Sequence, residues 1–122
     1  MSLPKSLRLK RWGEFSAVRE GGKSYASRHL VLGVLPESGA STFRYGFITS
    51  KRVGGAVERN RIRRRLRAIA RAQNGALVGG GMLVTIARHR ASTASYEQLA
   101  REWQSLAKSA GLFGQPGVEG KR

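Results

Sequence analysis

Hydrophobic and polar positions along the chain follow two periods, one typical of helices and one typical of strands. Residues 12–20 end in the sequence Glu-Gly-Gly at 20–22, which predicts a short helix that stops at the glycines. Residues 23–35 alternate between apolar and small or polar side chains, which predicts one long strand. The side chains of this strand that are expected to face the core are Ala26, Leu30, Leu32 and Val34.

Two further segments complete the predicted sheet. Residues 42–50 are rich in β-branched and aromatic side chains and follow a turn at 36–41. We therefore expect residues 42–50 to pair with the first strand as an antiparallel hairpin. Residues 82–88 are almost entirely apolar and lie between turn residues, which is the pattern of a strand in the interior of a sheet.

The longest segment with a helical period covers residues 56–72. On a helical wheel, Ile62, Leu66 and Ile69 fall within one narrow arc, so this helix has a single apolar stripe for the core. The opposite face is basic, and we call it the basic ridge. It consists of Asn60, Arg63, Arg64, Arg67 and Arg71, with Arg61 and Arg65 on one flank and Arg59 near the rim of the stripe.

The last predicted helix covers residues 95–110 and ends at Gly111. Ser95 and Gln98 form a capping box at its start, and an apolar position recurs every three or four residues, with Trp103 expected in the core. The elements therefore follow the order αββαβα, which indicates an α+β domain with helices packed against one small mixed sheet. A chain of 122 residues fits a single domain, predicted at 1–112, with a flexible Gly-rich tail at 113–122.

Charge narrows the possible partners. The formal net charge is +16, Arg is far commoner than Lys, and Asp is absent. Such a chain attracts polyanions, and Arg suits bidentate contact with phosphates and base edges, so a nucleic-acid partner is favoured. The basic ridge strengthens this interpretation, because a merely solvated helix face normally mixes Glu with Lys and Arg. The Gly pair that precedes the helix admits two interpretations, a tight link into the helix or backbone N–H groups that hold a phosphate.

Catalytic chemistry by the protein itself is not indicated. The Glu residues are dispersed, and His29 and His89 fall on separate elements, so neither a carboxylate metal site nor a histidine pair is expected. There is no cysteine, no membrane-length apolar run and no secretory signal pattern, so we expect a cytoplasmic protein without a membrane partner.

The sequence around the basic helix also carries a resemblance. "SKR" at 50–52, followed by "GGAVERNRIRRRLR" at 54–67, resembles the signature of the protein subunits of bacterial ribonuclease P. In this signature a strand ends in a basic pair, here Lys51 and Arg52, and an Arg-Asn-Arg sequence opens a helix with further basic residues at fixed offsets. The matching positions in the helix are Ala56, Arg59, Asn60, Arg61, Arg64 and Arg67.

The resemblance implies a function and a fold. It implies an accessory subunit of a ribonucleoprotein endonuclease that removes the 5′ leader of precursor tRNA, with a large RNA as the catalyst and Mg²⁺ bound mainly by that RNA. It implies that the catalytic RNA binds the Arg-Asn-Arg helix and that no protein partner is required. It also implies a left-handed βαβ crossover, which general topology rules disfavour.

The resemblance further implies a cleft between the first helix and the sheet for the single-stranded leader. Phe15 and Arg28 match the family pattern there, whereas Arg19 and Gly33 stand where the family often has aromatic side chains. Arg19 is expected to replace a stacking aromatic by a guanidinium or phosphate contact. From the residues alone, Phe15 is better explained as a core residue, and with the resemblance the core and the leader contact are equally favoured. Trp12 has no apolar partner at a regular spacing and can pack under the N-terminal segment. The alternative for the whole chain is a general RNA-binding or ribosomal protein with no role in tRNA processing.

Overall fold

A computed structural model of the protein describes residues 3–114. It contains three α-helices and four strands in these residues, and the order is αβββαβα. The helices are α1 (Trp12–Gly21), α2 (Ala56–Gln73) and α3 (Tyr96–Ser109), and the strands are β1 (Lys23–Ala26), β2 (Leu30–Pro36), β3 (Phe43–Thr49) and β4 (Gly81–Ala87). No helix within this range is both long and apolar enough to cross a membrane.

The predicted α+β architecture is confirmed, but the single strand at 23–35 is wrong. The chain turns back at residues 27–29, so that β1 and β2 pair antiparallel with Tyr25 opposite Leu32. The Ser27 N–H donates to the Leu30 carbonyl at 2.8 Å and closes this turn. The apolar and polar alternation continues through the turn, so the period along the sequence does not reveal it. The predicted order αββαβα therefore lacks one strand.

The predicted pairing of the strands at 23–35 and 42–50 is also wrong. The sheet order is β1-β2-β4-β3, so β4 lies between β2 and β3. It runs antiparallel to β2 and parallel to β3, with α2 as the connection from β3 to β4. β4 is the most apolar strand, and the central place lets both of its edges form hydrogen bonds while both of its faces are covered. Its interior position was predicted correctly; the left-handed sense of the crossover stays a prediction.

Each face of the sheet has its own apolar cluster. On one face, Leu30, Leu32 and Leu83 pack against α2 and α3, and the fully buried Trp103 of α3 donates from Nε1 to Thr85 Oγ1 of β4 at 3.0 Å. On the other face, a smaller cluster gathers under α1 around Val18 and Val84. The predicted core position of Trp103 is thus confirmed. Ala26, predicted to face the core, is instead exposed on the short edge strand β1.

The C-terminal end of the described region lies at the predicted boundary between the domain and its tail. Leu112 is buried and its carbonyl accepts a hydrogen bond from Val78 N–H at 2.8 Å, while Phe113 packs partly against the main core. The predicted tail at 113–122 lies outside the described residues from residue 115 onward.

Candidate nucleic-acid interface

Helix α2 presents the basic ridge as the sequence predicts. Ile62 and Leu66 are fully buried and Ile69 nearly so, which fixes the rotation of the helix against the sheet and α3. The ridge therefore faces away from the core. Asn60, Arg64 and Arg71 are exposed, and Arg63 and Arg67 are half-buried.

Arg63 and Asn60 are fixed with respect to the sheet. One guanidinium nitrogen of Arg63 donates to Thr49 Oγ1 at the end of β3, at 2.6 Å, and the other donates to Asn60 Oδ1 at 3.2 Å. The bond to Asn60 uses its acceptor and leaves the amide N–H groups on an exposed side chain. The two side chains thus form a positioned pair of donors.

The N-terminal segment adds a cation to the ridge that sequence analysis missed. Leu9 N–H donates to the Tyr45 carbonyl at 2.8 Å, so this segment runs along the free edge of β3 and brings Arg8 beside α2. Burial lowers the pKa of Arg67, and the positive charges of Arg8 and Arg63 lower it further. The basic run at the N-terminus is visible in the sequence, but its docking to β3 is a long-range contact that no local period encodes.

The other residues predicted to bind the catalytic RNA lie on α2 or directly before it. Lys51 and Arg52 are exposed in the turn that follows β3. Arg59 and Arg61 are half-buried on the flanks of α2. The structure thus places all the predicted residues of this set on one helix and its entry turn.

The Gly pair before α2 serves a structural purpose. Gly54 has φ 149°, a conformation that L side chains rarely adopt, and a Cβ there would press on the side chain of Glu58. The Gly55 N–H donates to Glu58 Oε1 at 3.1 Å. Since Glu58 already occupies this N–H, the phosphate interpretation loses one of its donors and the tight link is favoured.

A groove lies on the other face of the sheet, between α1 and the strands, and we call it the α1 groove. Trp12, Phe15 and Arg19 line it from α1, at helical spacings that place them on one face. Its floor is mostly apolar and is formed by residues of all four strands, among them Ile48, Val84 and Ile86. The predicted leader residues Phe15 and Arg19 are therefore brought together, on the sheet face opposite to α2.

The two aromatic residues of α1 have different environments. Phe15 is half-buried, and its ring occupies the space that a side chain at Gly46 would need. Trp12 is 74% exposed and belongs to neither apolar cluster, so the prediction that it packs under the N-terminal segment is wrong. Helix α1 begins at Trp12, where Glu14 caps the helix by accepting the N–H groups of Lys10 and Arg11.

Arg28, the third predicted leader residue, lies outside the α1 groove. It is exposed in the β1–β2 turn and lines a separate shallow depression with Arg101 and Glu102 of α3. Sequence analysis placed Arg28 on a strand, and the turn at 27–29 moves it to the end of the sheet.

The same turn contains His29, which is buried and structural. Its Nδ1 lies 2.5 Å from Glu102 Oε2, and its backbone N–H donates to Glu102 Oε1 at 2.9 Å. His89 is exposed. Among residues 3–114, no group of three or more His, Cys, Asp or Glu side chains is placed to hold a metal ion.

Comparison with known proteins agrees with this geometry. The family model described as Ribonuclease P matches residues 3–111. Similar curated proteins are the "Ribonuclease P protein component" of Shouchella clausii, 41% identical over 88% of each chain, and that of Halalkalibacterium halodurans, 39% identical over 95% of this chain and 97% of the relative.

Similar solved structures have the same fold. The RNase P protein of Staphylococcus aureus superposes with a TM-score of 0.82 at 27% identity, over 90% of this chain and all of that one. The RNase P protein of Thermotoga maritima, solved in complex with 1-(4-fluorophenyl)-2-thiourea, gives a TM-score of 0.76 at 25% identity, over 83% of this chain and 97% of that one. By sequence and by fold, the chain belongs to the ribonuclease P protein family.

Proposed function

We propose that the basic ridge binds the catalytic RNA of ribonuclease P and that the α1 groove receives the 5′ leader of precursor tRNA. As a ribonuclease P protein component, the chain is an accessory subunit of that endoribonuclease, with a role in 5′ processing of tRNA. The observation that carries the proposal is the basic ridge, a rigid helix face with five guanidinium or amide side chains and no acid among them.

The alternative of a general RNA-binding or ribosomal protein is not favoured. It explains the net charge, but it does not explain a family match over nearly all of the described residues. It also does not call for the spacing of Asn60 and Arg63, by which Arg63 donates both to Asn60 and to Thr49 at the end of β3.

In this proposal the protein acts through charge and position. Cations on the basic ridge and on Lys51, Arg52, Arg59 and Arg61 neutralise phosphates of the catalytic RNA and release counterions. Placing the leader fixes the substrate relative to that RNA. The described residues offer no carboxylate cluster for Mg²⁺, so we assign the Mg²⁺ implied by the family to the RNA.

The leader residues divide between two places. Phe15 and Arg19 line the α1 groove and can contact adjacent parts of a single strand. Arg28 can take part only if the leader continues beyond the groove to the β1–β2 turn. In this proposal the protein acts in the cytoplasm, where precursor tRNA is made. It assembles with the catalytic RNA without a further protein partner.

A reconstituted cleavage assay tests the proposal. Protein, catalytic RNA and precursor tRNA are combined at low Mg²⁺, with each component omitted in turn. We expect no cleavage by the protein alone and leader removal that depends on the protein when the RNA is present. A protein that binds this RNA but does not stimulate cleavage would contradict the proposal.

A further inference from the structure

Trp12 is the largest exposed hydrophobic side chain among residues 3–114 at 74% exposure, and folding does not explain it. An aromatic side chain that stabilised the fold would pack into one of the two apolar clusters, and Trp12 belongs to neither. Large exposed aromatic side chains beside a groove are typical of binding surfaces. Trp12 stands at one end of the α1 groove and Arg19 at the other, seven residues apart.

The groove has little other aromatic surface to offer. Phe15 is half-buried, with its ring against the backbone of Gly46, so part of the ring is already covered. At Gly33, a Cβ would approach Val18 Cγ1 at 3.0 Å, so Val18 fills the space where a strand aromatic would stand. Trp12 is therefore the aromatic side chain with the most uncovered surface in the groove.

The surroundings of Trp12 select a nucleic acid rather than an apolar ligand. Lys10 and Arg11 directly precede it and are exposed, and Arg19 lies about 10 Å further along the helix at 1.5 Å per residue. An aromatic platform with cations on both sides matches the alternation of base and phosphate in a single strand.

We propose that Trp12 stacks on a nucleobase of the single-stranded 5′ leader, while Arg19 contacts the strand at the other end of the groove. The inference rests on the proposed function, because it takes the leader as the occupant of the α1 groove. It moves the main stacking contact in this chain from the middle of α1 to its first residue. Stacking is tolerant of base identity, so the contact favours the presence of a leader base and not a particular sequence.

The test compares holoenzymes reconstituted with wild-type protein, Trp12→Ala, Trp12→Phe and Tyr96→Ala. Tyr96 is a partly exposed aromatic residue on α3, outside the groove, and is the matched control. Each holoenzyme binds two precursor tRNAs, one with a leader of several nucleotides and one with a single leader nucleotide. We expect Trp12→Ala to weaken binding of the long-leader substrate about tenfold and Trp12→Phe to retain most of the affinity for it. On the substrate with a single leader nucleotide, and for Tyr96→Ala on either substrate, we expect affinities close to those of the wild-type holoenzyme.

Tryptophan emission gives a direct second readout. Trp103 is fully buried and Trp12 is exposed, so a change in emission when the long-leader substrate binds reports on Trp12, and Trp12→Phe supplies the background. Equal loss on both substrates, or weaker assembly with the catalytic RNA, would place Trp12 on another part of the RNA and overturn the inference. Unchanged binding by Trp12→Ala would overturn it as well. If wild-type protein fails to stimulate cleavage at all, the proposed function itself has failed.

Discussion

Glu102 is the residue that holds the β1–β2 turn against α3. Its carboxylate accepts hydrogen bonds from the Ser27 hydroxyl, the His29 N–H and the His29 ring. Burial alone would raise the pKa of Glu102, but these hydrogen bonds and the charge of His29 outweigh burial, and the pKa lies below its ordinary value of 4.5. The ionised carboxylate is therefore the form that the fold prefers.

This preference predicts a pH-dependent loss of stability. A carboxyl group with a lowered pKa in the folded state stabilises the fold above its unfolded pKa, and the contribution disappears as the pH falls through the folded pKa. We expect Glu102→Gln to reduce the free energy of unfolding by about 1–3 kcal/mol at pH 7, because a charged acceptor of three hydrogen bonds is lost. The difference from wild type should shrink below pH 4.5.

Denaturant unfolding at several pH values measures this difference. Glu97→Gln is the matched control, since Glu97 is exposed on the same helix and its substitution removes a charge without removing these hydrogen bonds. A Glu102→Gln protein as stable as wild type at pH 7 would show that the turn does not depend on the carboxylate.

At the residue scale, the sequence predicts which side chains are buried better than it predicts which distant residues lie close together. The buried state of Ile62, Leu66 and Trp103 follows from a local helical period, because one face of each helix must meet the core. The exposure of Trp12 and the proximity of Arg8 to Arg67 do not follow from any local period. The proximity of Arg8 to Arg67 depends on where the N-terminal segment docks along β3, which is decided by contacts between residues far apart in the chain.

At the element scale, the same distinction separates helix α2 from the sheet. The bounds and buried stripe of α2 agree with the prediction for 56–72 within one residue. Three strands were predicted where the sheet has four, and their pairing was wrong, since a hairpin is the default for neighbouring strands while the central place of β4 depends on how both sheet faces are covered. The basic ridge could be predicted because it lies on one helix, whereas the α1 groove needs residues from five separate elements.

The ridge leads to a prediction about salt. If Arg64 contacts a phosphate of the catalytic RNA, Arg64→Ala should weaken binding and reduce the slope of log affinity against log salt concentration by about one. Arg63→Ala should cost more affinity, because Arg63 also fixes Asn60 and bonds to Thr49. Binding titrations at several salt concentrations give both quantities.

A control variant for Arg64→Ala can be made on α3. Lys108 is exposed near the end of that helix, away from the basic ridge, so Lys108→Ala removes one charge and should leave the slope close to that of wild type. Equal slopes for Arg64→Ala and wild type would show that Arg64 faces solvent in the complex.

At the scale of the whole molecule, the net charge of +16 opposes folding and favours RNA binding at once. The compact state holds these charges closer together than the unfolded chain does, so their repulsion destabilises the fold. Arg8, Arg63 and Arg67 show this crowding locally, since the first two lower the pKa of the third. Some of the few acids make contacts that stabilise the fold: Glu14 caps α1, and its Oε2 lies 2.5 Å from Arg44 Nη1.

Salt should therefore act on folding and on binding with opposite signs. Added salt shortens the screening length from about 30 Å at 0.01 M to about 8 Å at 0.15 M, so the melting temperature of the free protein should rise over that range. Affinity for the catalytic RNA should fall over the same range, because counterion release becomes less favourable. Thermal melts in sodium chloride and in sodium sulfate at equal ionic strength separate general screening from anion binding at the basic ridge. If repulsion dominates, the two salts give similar increases; a melting temperature that stays constant or falls in both would show that the charges are already too far apart to oppose folding.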